Sequence, residues 1–150
     1  MLRGAIGSAG IGLVEVYDVG TYGNARLLNL SGRAFVRTGD DVLIGGFIVR
    51  SLSQQLLVRA IGPDLAALGV TGALQDPTLE LHDSNGAILS SNNNWQSASN
   101  SSAISAAGLA PADSCDAAIL LTPGPGQFTA IVRGAGATTG VALLETYLLQ

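Results

Sequence analysis

The stretch Pro77-Thr78-Leu79-Glu80-Leu81-His82-Asp83-Ser84-Asn85-Gly86-Ala87-Ile88-Leu89-Ser90 has the period of an antiparallel hairpin. Leu79 and Leu81 alternate with Glu80 and His82, which sends apolar and polar side chains to opposite faces of a strand. Asn85-Gly86 then supplies the two residues that most readily adopt the left-handed backbone of a tight hairpin turn. A second apolar run follows at once.

The same grammar repeats outward in both directions. Short β-rich runs are predicted at residues 12–18, 33–37, 42–50, 56–61, 78–82, 87–90, 117–122, 127–133 and 141–148. Turn signals separate them, among them Thr38-Gly39-Asp40 and Pro123-Gly124-Pro125-Gly126. Two pieces read as helix. Residues 63–68 open on proline and stop at Gly69, and residues 101–107 follow Asn100 or Ser101 as N-cap and stop at Gly108. About nine short strands with two short helices predict an all-β, jelly-roll-like sandwich.

Composition narrows the function classes. The chain has 150 residues, enough for one domain that folds without a disulfide or metal. All seven basic residues are arginine, and eleven acids bring the net charge to −4. That excludes nucleic-acid binding driven by phosphate neutralisation, which needs a basic face. A hydrophobic share of 47% excludes disorder. No apolar run reaches the roughly 20 residues of a membrane-spanning helix. Met1-Leu2-Arg3-Gly4 runs into Gly/Ala-rich sequence without the apolar segment of a signal peptide, so none is expected within this chain.

An internal repeat is the most informative feature. At an offset of 130 residues, Arg3, Gly4, Ala5, Gly10, Leu13, Glu15 and Tyr17 match Arg133, Gly134, Ala135, Gly140, Leu143, Glu145 and Tyr147 without a gap. Ile11 meets Val141 as well. The chain thus divides into residues 1–19, a copy of 131–149, and a sandwich module over 20–150. Fixed-period repeats belong to arrays. Either both copies keep their own places in one sandwich, or both suit one slot and one can leave to complete a neighbour by strand addition. The expected subunit contacts are Leu13, Val14, Glu15, Val16 and Tyr17 at one end, and Leu143, Leu144, Glu145 and Tyr147 at the other. A surface without lysine also lacks the charges that normally keep sheet edges apart.

Catalytic chemistry finds little support. His82 is the only histidine, and no Gly-x-Ser-x-Gly elbow is present. Residues 134–140 imitate a dinucleotide loop, but the residues after Gly140 read as strand rather than helix, so a hairpin turn is expected there. One histidine and Cys115 are too few for zinc. No metal or cofactor is expected. Calcium is the alternative, with Asp83, Asn85, Asn93, Asn94, Asp113 and Asp116 as oxygen ligands if their loops meet. Trp95, beside Asn93 and Asn94, offers a ring for stacking on a sugar, or else closes one end of the sandwich.

Pro77 to Asn85-Gly86, then Ile88-Leu89-Ser90-Ser91-Asn92-Asn93-Asn94-Trp95, then Pro125-Gly126-Gln127-Phe128-Thr129-Ala130-Ile131-Val132 together resemble the pre-peptidase C-terminal type of β-sandwich. The wider chain, from Gly12-Leu13-Val14-Glu15-Val16-Tyr17-Asp18 through Val58-Arg59-Ala60-Ile61-Gly62-Pro63, is similar to modules found in tandem in large bacterial surface and exported proteins. The resemblance implies a non-catalytic appendage used in attachment, assembly or substrate contact outside the cell. Some similar sandwiches bind calcium near the Asp-x-x-Gly turn, where this chain places amides at Asn92, Asn93 and Asn94. The reading that follows is a homopolymeric, non-enzymatic building block. A carbohydrate- or surface-glycan-binding accessory module is the alternative.

Overall fold

A computed structural model describes residues 5–7, 10–16, 28–50 and 54–149. Its eight described strands are β1 (Asn29–Val36), β2 (Leu43–Val49), β3 (Gln55–Ile61), β4 (Pro77–His82), β5 (Ile88–Asn92), β6 (Ala117–Leu121), β7 (Gly126–Gly134) and β8 (Gly140–Leu149). They form two antiparallel four-stranded sheets, ordered β1-β8-β3-β6 and β2-β7-β4-β5. That pair of orders is the jelly roll, so the expected fold class holds. The helices are α1 (Pro63–Ala67) and α2 (Ser101–Ala106).

Alternation builds the core. Leu79 and Leu81 on β4, Ala130 and Val132 on β7, and Val58 and Ala60 on β3 point between the sheets with Leu74 and Leu144. The outer face of the β1-β8-β3-β6 sheet is covered too. Near α1, Leu65 packs with Ile61 and Ala73; near α2, Ile104 packs with Leu57, Ala118 and Leu120. Buried on both faces, β3 reads from Leu56 to Ile61 as an apolar run interrupted only by Arg59, rather than as an alternating one.

The Asn85-Gly86 hairpin joins β4 to β5 as expected, with Gly86 at φ 81°. Three expectations need correction. The strand predicted at 33–37 begins at Asn29, because pairing with β8 from Asn29↔Tyr147 onward extends it through Ser31 and Gly32. The segment 134–140 is no hairpin turn: β7 and β8 lie in different sheets, and the 3₁₀ turn Ala135–Ala137 carries the chain across. The strand predicted at 12–18 is not formed over its described part, 12–16, which takes no strand conformation and stays exposed. Tyr17 and Asp18 lie outside the described residues.

Candidate functional site

β8 is held on both edges and both faces. It pairs with β1 over eight positions and with β3 over seven. Gly140, Ala142 and Leu144 turn inward and are buried, whereas Val141 and Leu143 lie outward against Ile61, Leu65 and Ala73. Gly140 admits no side chain, because a Cβ there would fall 2.6 Å from the Leu74 main chain.

Further along β8, Glu145 and Tyr147 close around Arg59 of β3. The Arg59 guanidinium donates to Glu145 Oε2 from Nε at 3.1 Å and from Nη2, donates to the Tyr147 hydroxyl at 3.0 Å, and reaches the Leu109 carbonyl beyond α2. Tyr147 donates in turn to Glu145 Oε1 at 2.8 Å, and the guanidinium lies 4.9 Å from its ring centroid. Burial and the bond to Glu145 push the Tyr147 hydroxyl above its ordinary range. Charged and little exposed, with two guanidinium N–H groups on one carboxylate oxygen and the Tyr147 hydroxyl on the other, the cluster has the strong form of hydrogen bond. Sequence reasoning missed Arg59. The signal was available: Glu145 and Tyr147 are two apart on one strand face, and both recur at Glu15 and Tyr17.

The sequence copy of β8 contrasts with the original. Leu13, Val14 and Val16 are 78%, 68% and 59% exposed, while Leu144 in β8 is 5% exposed. The preceding turn is nevertheless the same. Ala5–Gly7 is a 3₁₀ turn with Ile6 at φ 53°, ψ 40°, and Ala135–Ala137 is one with Gly136 at φ 59°, ψ 27°. Left-handed backbone is strained for a β-branched residue, so Ile6 adopts this shape at a cost that Gly136 avoids.

One side of the sandwich is also open. β1 and β2 are edge strands, and Leu30, Phe35, Ile44 and Ile48 on them are exposed. The Leu148 N–H donates to the Leu28 carbonyl, so by antiparallel alternation Leu30, Gly32 and Ala34 turn their main-chain groups to β8. Asn29, Ser31, Arg33 and Phe35 turn theirs to the outer edge.

The loops named for calcium do not converge. Asn93 and Asn94 meet the 113–116 loop: Asn94 Nδ2 donates to the Ser114 carbonyl, and the Trp95 N–H to the Asp116 carbonyl. Asp83 and Asn85 sit at the far end of the β4–β5 hairpin, where Asp83 Oδ1 accepts the Asn85 and Ala87 N–H groups. Those bonds, Ala87 first, hold the Asp83 carboxyl below its usual range. Asp113 Oδ1 accepts the Cys115 N–H, and Asp116 is fully buried with its oxygens on the Gly62 and Asp64 N–H groups. The six ligands therefore split between two ends of the molecule, and the carboxylates are engaged by main-chain N–H groups, Asp83 and Asp113 in their own turns and Asp116 at the start of α1.

Burial pushes the Asp116 carboxyl up to about 7; the Gly62 bond opposes this and the nearby Asp64 carboxylate adds to it. Asp64 accepts the Ala112 and Asp113 N–H groups, so the two acids pin α1 to the loop before β6. Trp95 is half-buried against the α2 cluster, with its indole N–H on the Asp113 carbonyl. His82 has one ring nitrogen by the Gly86 carbonyl and the other by Glu80, which Arg133 also engages.

The sequence matches no protein-family profile, and no curated protein matches it. Among solved structures, the pre-peptidase C-terminal domain of a collagenase from Bacillus anthracis is similar. It is 14% identical, with a TM-score of 0.50, covering 79% of this chain and 89% of that one. The resemblance read from residues 77–147 thus holds for the fold.

Proposed function

We propose that this chain is a non-catalytic, extracellular bacterial module that joins copies of itself head to tail, with residues 10–17 as the connecting strand. The observation that carries the reading is the second copy of β8, whose apolar residues stand exposed beside a complete sandwich. Exposed apolar surface of this kind marks an interaction site. A strand offered at one end and accepted at the other makes a heterologous contact, which grows into filaments unless the rotation closes a ring. No membrane, metal or cofactor enters the scheme.

The test is particle size by light scattering with negative-stain imaging, up to millimolar protein, on the full chain and on a chain lacking residues 1–19. Concentration-dependent oligomers that vanish with the truncation are expected. A full chain that stays monomeric throughout would sink the reading, and glycan binding at Asn93, Asn94 and Trp95 would then be the property to measure.

A further inference from the structure

We infer that residues 10–17 seat in the place of β8 in a second copy, between its β1 and β3, and are read there by Arg59. This rests on the assembly reading above and names the acceptor. Residues retained between the two copies are those whose β8 counterparts make contacts specific to that place. Gly10 matches Gly140, where the Leu74 main chain leaves no room for a Cβ. Leu13 matches Leu143, packed with Ile61 and Leu65. Glu15 and Tyr17 match Glu145 and Tyr147, the pair that closes on Arg59. A strand that merely lined an outer edge would need none of these four.

Positions that differ set the competition. Gly12, Val14 and Val16 stand where β8 has Ala142, Leu144 and Thr146, so the copy fills the core slightly less well than the resident. The resident is also tethered, at an effective concentration on the order of millimolar. In an intact copy β8 therefore acts as a latch, and exchange becomes appreciable at high protein concentration or when the resident strand is weakened. Among the described residues β1 pairs with β8 alone, so an incoming strand must take over that ladder as the resident leaves.

The register makes the test sharp. Val58 faces Thr146 across the β3–β8 ladder, so Val16 of an incoming strand would face Val58. In full chains carrying Cys115→Ser, one with Val16→Cys is mixed with one carrying Val58→Cys under mild oxidation. A V58C/T146C chain, closing within itself, certifies the geometry. The expected result is a disulfide between chains, rising severalfold when the Val58→Cys chain also carries Leu144→Ala. If the control closes but the mixed chains do not link, while oligomers dependent on residues 1–19 persist, this acceptor is overturned and the assembly reading survives. Arg33→Pro then tests the outer edge of β1, because it removes an N–H on that side only. Absence of such oligomers would overturn both.

Discussion

Arg59 is the residue on which the last strand depends most. Truncating it leaves Glu145 largely buried without its cation and Tyr147 without its stacked guanidinium, a loss on the order of 3 kcal/mol for a broken buried pair. Arg59→Ala should therefore lower the urea midpoint, and hydrogen exchange should rise first in β8. A change confined to another strand would contradict the role. Asp116 acts in the opposite sense to an ordinary surface acid. Its folded pKa of about 7 lies above the ordinary carboxyl value of 3.8, so between the two the folded state holds a proton that the unfolded chain has lost. This group's contribution is complete below about pH 4 and is lost as pH rises through 7. Asp116→Asn keeps an acceptor for the Gly62 N–H and should flatten the decline in stability between pH 5 and 7.5; an unchanged slope would remove Asp116 as its source. Burial of Asp116 could not be read in advance, since it depends on elements far apart in the chain; of the Arg59 cluster, only the spacing and recurrence of Glu145 and Tyr147 were legible.

At the scale of elements, legibility followed local chemistry. The β4–β5 hairpin was written in Leu79, Leu81 and Asn85-Gly86, and both helices were bounded by their proline and glycine residues. β1 was half hidden: Asn29, Ser31 and Gly32 are poor strand residues, held extended by β8 rather than by their own preference. Residues 12–16 failed in the opposite way, carrying a good strand pattern but forming no strand. The crossing at 134–140 was misread because glycine marks a turn without saying which sheet the chain enters. Gly140→Ala should show how closely β8 is fitted. Its methyl would press on the Leu74 main chain, and overpacking of this kind costs about 1–3 kcal/mol. A melting temperature within a degree of the parent would contradict that close approach.

For the whole molecule, topology explains why the last strand is the one to duplicate. β8 lies inside its sheet, flanked by β1 and β3, so whatever occupies that place joins the first strand of the fold to its middle. The calcium loops fell apart at this scale, because sequence spacing does not tell which end of a sandwich a loop occupies. The proposed connector was legible only as a repeat; the proposed acceptor needed the contacts around β8. The most direct test is sedimentation velocity on the full chain at up to millimolar concentration, titrated with a synthetic peptide of residues 3–19. The account predicts that oligomers give way to monomers carrying bound peptide, because the peptide fills the acceptor without offering one. Oligomers that ignore an excess of peptide would contradict it.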